Sequence, residues 1–255
     1  MSKYIDESIA FYEEILEVNL MDNYVLDYKV LDDIDFFNEC KKETGNIDLS
    51  DFLVISVPRE NNFYTLLIND YVENKKDNYG LEILYSQLST IYLDTNYDVN
   101  EIIRKCKYPF LNRAIIGVEY WKEYYSIYLC QFVMRQKYLD KVDDTENPYS
   151  YEKSLKIGLN FLNKALTSPN KSIDQRLSLM FYSFAKITMA CNDKKIYDLK
   201  SIIKNKEIAS YVQELFSMFS SKGFTELTIL HFFRIRSIVF KIIKLLEREE
   251  IKDED

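Results

Sequence analysis

The sequence holds one histidine, 5 glycines and 4 prolines in 255 residues, and each shortage removes a class of function. A single imidazole, that of His231, cannot supply the histidine pair of a peptidase-type zinc site. It also leaves a serine or cysteine nucleophile short of its usual base. Five glycines leave no phosphate-binding loop or dinucleotide fingerprint. Cys40, Cys106, Cys130 and Cys191 stand 66, 24 and 61 residues apart, with no close pair of the kind a zinc knuckle or redox motif needs, and they read as reduced thiols. No stretch approaches the ~18 uninterrupted apolar residues of a membrane span. Acidic residues break up the amino-terminal MSKYIDESIAFYEEILEV, unlike a signal or transit peptide. A cytoplasmic protein without membrane contact is expected, and no cofactor.

What is present points to folded, mostly helical structure. The chain is 47% hydrophobic and 15% aromatic, enough for a sizeable core, and scarce turn residues favour long regular elements. Its net charge of −8 is unevenly placed. Residues 1–100 carry 7 Lys and Arg against 21 Asp and Glu, whereas residues 101–255 carry 26 against 20. Basic helices after residue 100 would suit a nucleic-acid-associated regulator. The basic residues are scattered, however, and no DNA- or RNA-binding motif accompanies them, so nucleic acid is not the expected partner.

Helical spacing of Ile5, Ile9, Tyr12 and Leu16 predicts a first helix, and the series Val25, Tyr28, Leu31, Ile34, Phe37 a second. Two runs rich in β-branched and aromatic residues within 52–68 flank Pro58–Asn62 and predict a β-hairpin with a five-residue loop. Helices are then expected over 81–94, within VNEIIRKC before Pro109, and over 114–139. Further helices are expected at 151–166, 172–190, 197–204, 209–220 and 226–247. The expected fold class is mostly α (α+β): a helical core with one hairpin or small antiparallel sheet, followed by a helical carboxy-terminal region. The polar stretch DKVDDTENPYSY, 140–151, separates a first domain, 1–140, from a helical region, 150–248, with an acidic tail at 249–255.

The helix LEILYSQLSTIYLD carries an unusual polar patch, Ser86, Gln87, Ser89 and Thr90, broken only by Leu88. An ordinary reading is the solvated side of an amphipathic helix. The order helix, hairpin, helix, long helix, together with this stretch, resembles small gluzincin-like zinc metallopeptidases of the ImmA/IrrE type. In these a helix reads roughly T-L-x-H-E-L-T-H-I-Y-D and a later helix carries W-x-E-Y. Here the two stretches are Ile83-Leu84-Tyr85-Ser86-Gln87-Leu88-Ser89-Thr90-Ile91-Tyr92-Leu93-Asp94 and Trp121-Lys122-Glu123-Tyr124. The resemblance spans roughly residues 45–135, and it implies a zincin-like fold.

The resemblance also implies which groups are missing. Two histidines at i and i+4, a glutamate between them as general base and a distant glutamate make the family's site. This chain has Ser86 and Thr90 at the ligand positions, Gln87 at the base position and Glu123 at the third-ligand position. A hydroxyl is a poor zinc ligand, and an amide cannot take a proton from water near neutral pH. The four positions therefore read as a vestigial metal site flanked by Trp121 and Tyr124, with no metal bound and no catalytic residue. A lone acid on an apolar helix needs a partner, which the hydroxyls and amide at 86, 87 and 90 are expected to provide. The implied function is that of a pseudoenzyme: a regulator or inhibitor that binds another protein, in a phage or mobile-element setting. An enzyme working without metal is the remaining alternative.

Overall fold

A computed structural model of the chain describes residues 2–20, 26–45, 52–60, 63–96, 111–139, 146–168, 170–191, 197–220 and 228–253. Two compact units emerge, the first from residues 1–97 and 132–140, the second from 98–131 and 141–255. One junction, at 140/141, adjoins the polar stretch. Two others, at 97/98 and 131/132, fall inside the region read from sequence as a single domain.

The first unit begins with α1 (Lys3–Leu16), whose Ser2 cap accepts the Ile5 N–H. The segment expected as a second helix is instead a strand, β1 (Leu26–Leu31), followed by α2 (Asp33–Thr44). Two local features account for this. Leu26, Tyr28 and Val30 alternate with polar residues as a strand does, and Asp32 accepts the Ile34 and Asp35 N–H groups, starting the helix there. Tyr28 is anchored as well, its hydroxyl 2.7 Å from Asp6 Oδ1.

The hairpin forms from β2 (Val54–Pro58) and β3 (Tyr64–Asn69), antiparallel with Ser56 opposite Leu66. β1 joins β3 in parallel, so the sheet order is β1-β3-β2 and β2 lies at an edge. Phe36 and Cys40 of α2 cover one face with Val57 and Leu67.

Asn69 caps a short helix, α3 (Asp70–Lys75), between the hairpin and the helix that follows. The motif helix, α4 (Asn78–Asn96), starts three residues before its expected position because Asp77 accepts the Gly80 N–H at 2.8 Å and the Tyr71 hydroxyl at 2.9 Å. These contacts hold the Asp77 carboxyl below its usual range, the Gly80 N–H first among them, against some desolvation.

In the second unit, α5 (Leu111–Gln136) contributes its residues up to 131; the helix lies three residues earlier than expected at both ends. α6 (Tyr151–Thr167), capped by Ser150, and α7 (Ile173–Ala190), opened by a Ser172/Gln175 capping box, pack closely on each other. α8 (Lys206–Ser220) and α9 (Ile229–Asp253) follow. No helix covers 197–204: Asp198 accepts the Lys200 N–H and Gln213 Oε1 accepts the Leu199 N–H, holding an irregular turn. α9 runs through most of the segment read as an acidic tail, since Glu and Lys have high intrinsic helix propensity. The helix expected within VNEIIRKC lies outside the described residues. Among those residues, no helix is long and apolar enough to cross a membrane.

Candidate functional site

α4 packs its Leu81, Leu84, Tyr85, Leu88 and Ile91 into the core of the first unit. Its polar patch resolves into three separate arrangements. Ser89 is fully buried: its Oγ lies 2.8 Å from the Tyr12 hydroxyl and 2.8 Å from the Tyr85 carbonyl oxygen. Thr90, half-buried, donates its hydroxyl back along the helix to the Ser86 carbonyl at 3.1 Å. The Gln87 side chain points away from the helix to the sheet, where its Oε1 accepts the Ser56 N–H at 3.2 Å and the Ser56 hydroxyl at 2.9 Å.

The Gln87 contact closes part of the sheet edge. Arg59 donates its N–H to Phe63, and Asn69 donates to Leu53. By the alternation of an antiparallel ladder, residues 53, 55, 57 and 59 face β3, and Val54, Ser56 and Pro58 turn their backbone groups outward. Of those three outward positions, Pro58 has no N–H and Ser56 gives its own to Gln87. An extended peptide adding to this edge would lack both donors.

Trp121, Glu123 and Tyr124 belong to α5 in the second unit. Trp121 is fully buried and stacks on Tyr125, with ring centroids 4.4 Å apart. Tyr124 is buried against Phe219 at 4.7 Å and gives its hydroxyl to Thr188 Oγ1 at 3.1 Å. Glu123, for which sequence reasoning sought a partner on α4, has one in its own unit: the Ser178 hydroxyl, 2.7 Å from Oε1. Burial pushes the Glu123 carboxyl above its usual pKa, the Ser178 bond partly offsets this, and the nearby Asp174 charge adds to the rise.

Because the folded-state pKa lies above the unfolded one, folding disfavours the ionised form. Stability therefore falls as pH rises through the two values. Glu123→Gln keeps an acceptor for Ser178 and removes the charge. It is expected to raise the melting temperature at pH 7, with the gain disappearing as pH falls to the ordinary carboxyl pKa of about 4.3. A pH-independent change would contradict this assignment.

His231 ends in a local role, its Nδ1 accepting the Thr228 N–H at 3.0 Å at the start of α9. Among the described residues, no three His, Cys, Asp or Glu side chains gather closely enough to hold a metal ion. Ser56 and Ser178 are the partners that sequence reasoning missed. Ser56 carried a readable signal as the one hydroxyl in the strand VISVP, whereas Ser178 is an ordinary polar position on an amphipathic helix. No family model matches the chain, and no curated protein or solved structure matches it either.

Proposed function

We infer that the chain is a cytoplasmic, non-catalytic protein built on a metallopeptidase-like plan, acting as a regulator or inhibitor by binding another protein. Its setting on this reading is a phage or mobile element. The observation that carries the inference is the Gln87–Ser56 pair. The position that would hold a general base carries a neutral amide, and that amide's oxygen is committed to two donors on the sheet edge. Ser86 and Thr90 add no imidazole. Supporting a binding role, Ile34 and Phe37 stand 74% and 44% exposed one turn apart on α2, beside Asp33 and Asp35. Apolar side chains in an acidic surround suit a basic protein surface.

Two measurements test this reading. Incubated with zinc and unfolded casein, the purified protein is expected to leave the casein intact. Gln87→Glu is expected to do the same, because Ser56 would hold the new carboxylate as it holds the amide. For binding, a protein retained by the wild type is expected to be released by Ile34→Asp with Phe37→Asp, two exposed changes that leave the melt unaltered. Casein cleavage, or equal retention by the variant, would contradict the reading.

A further inference from the structure

The irregular turn at 197–204 borders a space in the second unit, with Ile202, Ile203 and Lys204 among its lining residues. The space is a cavity of about 420 Å³, within the ~300–1,000 Å³ typical of small-molecule sites. Leu159, Leu162 and Leu166, spaced along one stripe of α6, form one wall. Ile202, Ile203 and Ile208 form the other. Leu162 and Ile208 are fully buried at its base, while Ile202 is 45% exposed although it faces this apolar space.

Wall chemistry narrows the ligand. Among the described residues, all six large apolar side chains are branched aliphatics and no aromatic ring lines the cavity, so none of them offers a stacking surface to a base or planar cofactor. One cation lines it: Lys204, exposed and without an ion-pair partner among the described residues. Asn163 supplies an amide on the α6 side. Asn205 and Thr167 also line the cavity, but their side chains serve the backbone: Asn205 Oδ1 accepts the Glu207 and Ile208 N–H groups, and Thr167 donates to the Asn163 carbonyl. Among the described lining residues, Lys204 is the charged group and Asn163 adds an amide beside an aliphatic interior.

We propose that this cavity binds a medium-chain aliphatic carboxylate, its chain between the α6 leucines and the three isoleucines and its carboxylate at Lys204. The site is independent of the peptidase-like features of the first unit. Burial of each methylene contributes about 0.8 kcal/mol, which corresponds to roughly fourfold in affinity. Affinity should therefore climb from hexanoate through octanoate to decanoate, and stop climbing once the cavity is full. Lys204 should distinguish the carboxylate from the matching alcohol, more strongly at low salt.

The test is a titration of the full chain with decanoate up to about 1 mM, followed by methyl NMR of its Ile and Leu side chains. The expected result is saturable binding with shifts confined to the cavity methyls. Lys204→Met is expected to weaken decanoate about tenfold while leaving decanol unchanged. Ile202→Asp sets a like charge in the wall at a position already exposed, so it should abolish decanoate binding without altering the thermal melt. Absence of saturable binding, shifts spread over the surface, or unchanged binding by Ile202→Asp would each overturn the proposal. So would occupancy by an apolar peptide in place of decanoate.

Discussion

Gly117→Ala is expected to destabilise the protein by about 3 kcal/mol, the upper end of what overpacking costs. Gly117 lies in α5 where α9 crosses it, and a Cβ built on it would stand 2.0 Å from the Phe232 carbonyl oxygen and 2.7 Å from the carbonyl carbon. These are backbone atoms held in a helix, so relief requires moving one helix from the other, not turning a side chain. The sign is informative, because Gly→Ala inside an unobstructed helix normally stabilises by ~1 kcal/mol. Gly80→Ala in α4 is the internal control: its nearest neighbour, the Val72 Cα, lies at 3.3 Å, and a small effect is expected. Denaturant melts of both variants check the pair. A neutral Gly117→Ala would mean the two helices do not approach as described.

Arg176→Met is expected to cost a similar amount, about 3 kcal/mol. Arg176 is 2% exposed. Its Nε donates to the Ala165 carbonyl at 2.8 Å and one terminal nitrogen donates to the Leu166 carbonyl at 2.9 Å. Both acceptors belong to the last turn of α6, where carbonyls have no intrahelical donor. Methionine would fill much of the volume but remove both donors, from the buried Ala165 carbonyl and the half-buried Leu166 carbonyl. Arg176→Lys retains the charge yet lacks the planar fork, so an intermediate loss is expected. Equal stability of the Met variant in a thermal melt would show that water satisfies these carbonyls.

Much of the fold was legible because helix periodicity and caps are local. The helix expected over 172–190 is α7, and Pro58 between apolar runs announces the hairpin. β1 was misread since its Leu26, Tyr28, Val30 alternation is only six residues long and merges with the helical spacing of α2. The turn at 197–204 was misread since its fixing contact, Gln213 to the Leu199 N–H, spans 14 residues and leaves no mark in a local window. At the candidate site, the absence of histidine was plain from counting. The commitment of Gln87 to Ser56 was not, because it depends on β2 lying at an edge and on the ladder turning Ser56 outward. Glu123 shows the limit most clearly: an acid on an apolar stripe signals that a partner exists, but only the packing of α5 beside α7 identifies Ser178.

Zinc binding most directly tests the claim that the α4 site is non-catalytic. Purified protein and Ser86→His with Thr90→His are titrated with zinc against a chromophoric chelator, with metal content measured on both. The native chain is expected to show no saturable zinc site, since two hydroxyls and an amide are poor donors for this ion. The double variant is expected to take up zinc, because imidazoles at i and i+4 lie on one face of a helix and can share one ion. Stoichiometric zinc in the native protein, removable by chelator and accompanied by peptide cleavage, would contradict the account.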